Sequence, residues 1–189
     1  VPSCILYGPP GVGKTTLVRI MSKTTGRELL EINAVSAKVE TLRTLVDKAK
    51  TSKRMSGRSA IAFVDEIYHF NTKQQNVLLP SVETGDIILV GTTTENPWFE
   101  INKTLLSRMV VYTLKPLDEE DIVSLLEKAL SDKARGLGML EVAADKSVIG
   151  KLASLAGGDA RQALTRLEAA ASSVALGGGR DRKSTRLNS

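Results

Sequence analysis

Cysteine, histidine and aromatic residues are scarce in this chain of 189 residues, and each shortage narrows what it can do. A single cysteine, Cys4, leaves no internal disulfide. The chain therefore fits a reducing compartment, and Cys4 reads as a small buried strand residue. The one histidine, His69, reads as a surface or locally satisfied residue rather than a catalyst. Aromatics make up 4% of the chain, too few to argue nucleic-acid binding from stacking. No apolar run approaches the roughly 20 residues of a membrane helix. No leader-like segment stands at the start, where the chain opens directly into an apolar run. With 42% hydrophobic residues, the composition supports one domain with a real core and room for a small satellite.

The net charge of +5 is unevenly placed. Arg180, Arg182, Lys183 and Arg186 against Asp181 give residues 177–189 a net +3. The rest carries only +2, which is ordinary. A basic cluster at Lys48, Lys50, Lys53, Arg54 and Arg58 reads as a solvated loop between a helix and a strand, with DNA phosphates as the rival reading.

Residues 8–15, Gly-Pro-Pro-Gly-Val-Gly-Lys-Thr, form a phosphate-binding loop, Gly-x-x-x-x-Gly-Lys-[Ser/Thr]. Gly8, Gly11 and Gly13 let the backbone curl with its N–H groups inward, around Pro9, Pro10 and Val12. Those amides and the start of the next helix, through Thr16, are suited to cradle phosphates. Lys14 can reach β- and γ-phosphate oxygens, and the Thr15 hydroxyl can bind Mg²⁺. Val1–Tyr7 before the loop suits a buried strand. Leu17, Val18, Ile20 and Met21 after it fall at helical spacing.

Farther along, strands are expected at 29–32, 60–64, 87–90 and 110–114, with a helix over 39–50 and a loop over 51–58. Strands separated by helical segments imply a five-stranded parallel α/β sheet. Beyond Pro116 the pattern becomes helical: Asp118–Asp121 starts one helix, Asp145 a second and Gly157–Asp159 a third. The expected organisation is an α/β part over 1–115, an all-helical lid over 116–176, and a disordered, solvated tail over 177–189, with foreign sequence from a cloning join as one reading of that tail.

The strand over 60–64 ends in Asp65-Glu66, some 50 residues after the loop. In phosphoryl-transfer sites of this kind one carboxylate serves the Mg²⁺ side, here Asp65, while the second, Glu66, polarises the attacking water.

Taken together, these motifs resemble an AAA+ ATPase. Within that superfamily, Asp65-Glu66-Ile67-Tyr68-His69-Phe70-Asn71-x-x-Gln74-Gln75, Gly91-Thr92-Thr93-Thr94-Glu95-Asn96-Pro97 and Leu105-Leu106-Ser107-Arg108 resemble the RarA/MgsA family. Its eukaryotic members are the Werner-helicase-interacting, or maintenance-of-genome-stability, proteins. The resemblance runs from about Val1 to Ala175. It implies ATP hydrolysis with ATP and Mg²⁺, action on single-stranded or forked DNA, a homo-oligomer, and replication or repair partners such as a helicase or polymerase. It implies no membrane. It places the protein in the nucleus if eukaryotic, or in the cytoplasm and nucleoid if bacterial. By the same resemblance Thr93, with Thr94 and Asn96 beside it, is the sensor of the γ-phosphate or lytic water. Arg108 is an arginine finger offered to an adjacent subunit. Arg161 is a second sensor in the lid.

Tyr68-His69 stands where the family usually has His-Arg, and Trp98 where it has a small residue. Trp98 reads first as packed against the domain and second as a stacking surface for a DNA base. The chain is also expected to be a fragment, lacking an adenine-holding segment before the first strand and the family's C-terminal oligomerisation region. Two other readings stay open. One is a clamp-loader or Holliday-junction branch-migration subunit. The other is a nucleotide-gated binding module that does not hydrolyse ATP.

Overall fold

Five apolar runs become five parallel strands: β1 (Cys4–Tyr7), β2 (Leu29–Asn33), β3 (Ala60–Asp65), β4 (Ile87–Thr93) and β5 (Val110–Thr113). Their spatial order is β2-β3-β4-β1-β5. The computed structural model describes residues 1–177 together with Arg186–Leu187. It divides into two units. One is Val1–Gly8 with Gly13–Leu114; the other is Pro9–Val12 with the chain from Lys115 onward.

In the first unit, helices α1 (Lys14–Thr25), α2 (Val39–Ser56) and α3 (Thr72–Glu83) connect the strands. Successive strand side chains point to opposite faces, and the core divides accordingly. Cys4, Leu6, Ile61, Phe63 and Val90 pack with Val18 of α1. Ile5, Ala60, Ala62, Val64 and Leu89 pack with Leu42, Leu45, Val46 and Ala49 of α2 and Leu78 of α3. The continuous apolar run of β3 is thus buried on both faces, as a central parallel strand requires.

Helix α2 runs six residues beyond the expected end at Lys50. Thr51–Ser56 contains no helix breaker, and the chain turns only at Gly57, whose φ of 71° suits a residue without a Cβ. The basic cluster therefore occupies the end of a helix more than a loop. Lys53 there is committed to the Asp86 carboxylate at 3.0 Å and the Gly85 carbonyl at 2.9 Å.

Helix α3 has no counterpart in the sequence reading. Asn71 and Gln74 start it by a reciprocal capping box, each side chain bonded to the other's backbone N–H at 2.9 Å. Two short helices follow β4: α4 (Pro97–Glu100) and α5 (Lys103–Leu106), started by Asn96 and Asn102. The buried Gln75 ties α3 to this stretch. Its amide donates to the Phe70 and Glu100 carbonyls, and its oxygen accepts from the Asn102 N–H at 2.7 Å.

In the second unit, α6 (Glu119–Ser131), α7 (Lys146–Ala156) and α8 (Ala160–Gly177) close around Ile122, Leu126, Ile149, Ala153, Ala163 and Leu167. Asp118 caps α6 by accepting from the Asp121 N–H at 2.9 Å. This unit is not wholly helical. Ala143–Ala144 (β6) pairs in parallel with Arg186–Leu187 (β7). Two residues of the tail expected to be disordered therefore form a strand, and the rest of that tail beyond Gly177 lies outside the described residues. Among the described residues no helix is long and apolar enough to cross a membrane.

Candidate nucleotide site

Strand β1 lies between β4 and β5, and the loop that leaves it inherits that central position. The Gly8 N–H donates to the Thr93 carbonyl at 3.2 Å, extending the ladder by one residue. A Cβ on Gly8 would strike the Leu114 carbonyl. Gly13 has φ 88°, which only glycine takes at little cost, and it starts α1 with no side-chain cap and no acid in the first turn. Gly13 has no side chain to cap the first amides of α1, which lead into a buried lysine. Lys14 is 7% exposed, and its Nζ donates to the Gly8 carbonyl at 2.7 Å. Thr15 is half-buried and Thr16 exposed.

The middle of the loop belongs to the second unit. There the Ala160 N–H donates to the Gly11 carbonyl at 3.1 Å. Gly11 has φ 72°, and a Cβ on it would overlap the Asp159 side chain. Pro9 and Val12 are largely buried, and Pro10 is exposed.

The carboxylates follow from strand parity. Asp65 continues the Ile61 and Phe63 face of β3, and Thr92 continues the Val90 face of β4. These are the same face of the sheet, and the Thr92 hydroxyl donates to Asp65 Oδ1 at 2.6 Å. Thr92 also accepts from the Glu66 N–H at 3.1 Å. Glu66 stands in the left-handed region, with φ 52° and ψ 56°, so the backbone turns sharply at this residue. A non-glycine residue held there marks a strained position of the sort found at functional sites. Its Oε2 accepts from the Thr94 N–H at 3.2 Å and lies 3.5 Å from the Thr94 hydroxyl.

Thr93 takes the opposite parity. It is fully buried, and its hydroxyl donates to the Glu95 carbonyl at 3.0 Å while accepting from the Glu95 N–H at 2.9 Å. The Thr93 hydroxyl is thus committed to Glu95, while Thr94 is the threonine beside the Glu66 carboxylate. Counting in twos from Val90 places Thr92 on the Asp65 face; Thr94 lies just past the end of β4.

The two candidate arginines differ. Arg108, just after α5, binds the Glu83 carboxylate through Nη2 at 2.6 Å and the Thr104 carbonyl through Nη1 at 2.7 Å. Arg161 is the second residue of α8, exposed, with no hydrogen bond or ion pair among the described residues. His69 is exposed, with its ring 4.2 Å from that of Tyr68. Trp98 is not packed away as expected. It is 54% exposed, and its neighbour Phe99 is 84% exposed, because the four-residue α4 buries only Pro97. Burial pushes the Cys4 thiol up to about 11.

The model of the "ATPase family associated with various cellular activities (AAA)" matches residues 4–117. The chain belongs to this family. Among its curated relatives, Replication-associated recombination protein A of Coxiella burnetii is 46% identical over 166 residues, 88% of this chain and 37% of that protein. The protein of the same name from Escherichia coli is 44% identical over the same shares. ATPase WRNIP1 of Dictyostelium discoideum is 41% identical over 90% of this chain and 19% of its own. The RarA/MgsA resemblance thus stands, and this AAA chain spans well under half the length of these relatives. In fold it is similar to the Thermotoga maritima RuvB Holliday junction branch migration motor. The TM-score is 0.79 at 22% identity, covering 100% of this chain and 58% of that one.

Proposed function

We propose that this chain is the ATP-hydrolysing core of a DNA replication and repair protein. The observation that carries the reading is the pair of adjacent carboxylates at the end of β3. One is held by Thr92, on the strand β4 that pairs with β1, and the other by Thr94, just past the end of β4. The glycine-started first turn of α1, the buried Lys14 and the left-handed turn at Gly13 suit a triphosphate tail.

The residues also suit Mg²⁺, which would neutralise charge developing on the phosphates. Thr15 offers a hydroxyl, and Asp65 Oδ2 has no hydrogen bond among the described residues. Among those residues no cluster of three or more acids, cysteines or histidines forms a cage of its own. One carboxylate and one hydroxyl completed by phosphates and water is a common arrangement for this ion. Glu66 Oε1, likewise without a partner among the described residues, orients the attacking water. Thr94 fixes the other oxygen of that carboxylate and senses the γ-phosphate. Arg161 reports on the same phosphate from the second unit, which acts as a lid. Arg108 completes the site of an adjacent copy in a homo-oligomer.

Single-stranded or forked DNA is the proposed partner, with a helicase or polymerase as protein partner. Trp98 and Phe99 offer exposed rings for base stacking. The test is Glu66→Gln in the full-length protein, with and without forked DNA. Loss of steady-state turnover with ATP binding retained supports the reading; turnover equal to the parent's removes it. A nucleotide-gated switch would instead give one turnover per chain and then stop.

A further inference from the structure

We infer that Glu83 is a positioning residue for Arg108, so that the end of α3 sets the aim of the arginine offered to the neighbouring subunit. The inference rests on the proposed reading of Arg108 as a finger acting in trans.

Arg108 is exposed, and a long exposed side chain ordinarily samples many rotamers. Here three contacts restrict it. Nη1 donates to the Thr104 carbonyl at 2.7 Å and to the Ser107 hydroxyl at 3.0 Å, and Nη2 meets Glu83 Oε1 at 2.6 Å. Thr104 and Ser107 lie within four residues of Arg108 and hold one nitrogen only. Glu83 is the only distant partner among the described residues, and it fixes the plane of the fork. Of the five N–H donors of a guanidinium, the Nε–H and one on Nη2 have no partner among the described residues. Two donors thus remain for phosphate oxygens. Glu83 is also the last residue of α3, the helix that begins six residues after Glu66. One short helix therefore links a subunit's own hydrolytic carboxylate to the arginine it presents elsewhere.

The closing experiment compares Glu83→Gln, Glu83→Ala and Arg108→Ala in the full-length protein, reading kcat, KM for ATP, nucleotide binding and melting temperature. A half-exposed ion pair contributes little to stability, so melting should not move. Glu83→Gln should lower kcat about tenfold with KM unchanged, since misplacing a transition-state donor costs rate more than affinity. Adding excess Glu66→Gln subunits, which lend an intact Arg108, should restore turnover to Glu83→Gln subunits several-fold. A merely structural role for Glu83 gives no such rescue. If Arg108→Ala abolishes turnover while Glu83→Gln matches the parent, or if Glu83→Gln is not rescued in trans, the inference is overturned and the finger reading survives. If Arg108→Ala keeps full turnover, the finger reading falls, and this inference with it.

Discussion

The two units commit their chemistry-bearing side chains in opposite ways. In the first, Lys14, Asp65, Glu66, Thr92, Thr94 and Arg108 each have a defined partner at 2.6–3.5 Å. In the second, Arg161 is exposed and has none among the described residues. A sheet can hold groups in register because each strand fixes the parity of its neighbours. A helix surface offers no such clamp. The comparison teaches that the candidate residues of the first unit are held before ligand arrives, while Arg161 stands exposed and unheld among the described residues.

The largest effect should come from the held residues. Glu66→Gln should cut ATP turnover by about 10²–10³-fold while leaving nucleotide affinity near the parent value, measured by phosphate release and by titration with a fluorescent ATP analogue. Lys14→Ala should weaken ATP binding at least about tenfold in calorimetry, since it removes a charged contact to the phosphates.

The threonines sharpen the contrast within the first unit. Thr94→Val should lower kcat about 10²-fold with little change in melting temperature. Thr93→Val should do the reverse. Its buried hydroxyl holds both backbone groups of Glu95, so stability should fall by about 1–3 kcal/mol in urea titrations, with turnover per folded molecule retained. An exchange of these two outcomes would overturn the separate roles proposed for the two threonines. Arg161→Ala should cost less than Glu66→Gln, about tenfold in turnover; a larger loss than Glu66→Gln would erase the distinction between the units.

The smallest effect concerns Cys4. With its thiol pushed up to about 11, native protein should resist iodoacetamide at pH 8 and react only on unfolding. The linkage has a definite sign. The unfolded thiol ionises near its ordinary value of 9 while the folded one stays protonated. Its contribution to stability is therefore intact below that value and declines as pH rises toward 11.

Much of this was legible beforehand, for identifiable reasons. The loop over residues 8–15 and the Asp65-Glu66 pair are local patterns whose chemistry demands those residue types. The five strands are short apolar runs bounded by breakers. Helix α3 escaped notice because its pattern is mixed: it buries Gln74, Gln75 and Ser81 beside Leu78, and it carries Pro80 inside. Three identical threonines in a row do not reveal which of them meets Glu66, because Thr94 lies just past the end of β4. The pairing of Ala143–Ala144 with Arg186–Leu187 joins segments more than forty residues apart, and neither has the length or alternation of a strand. The exposure of Trp98 depends on how little α4 can cover.

The backbone at Glu66 carries a consequence for any effort to toughen this protein. Its left-handed conformation costs a residue with a side chain about 1–2 kcal/mol and costs glycine almost nothing. A screen that rewarded heat resistance alone would be drawn toward Glu66→Gly and would return a sturdier protein without the carboxylate proposed to orient the attacking water. Durability and turnover pull this one position in opposite directions, so such a screen would have to score both.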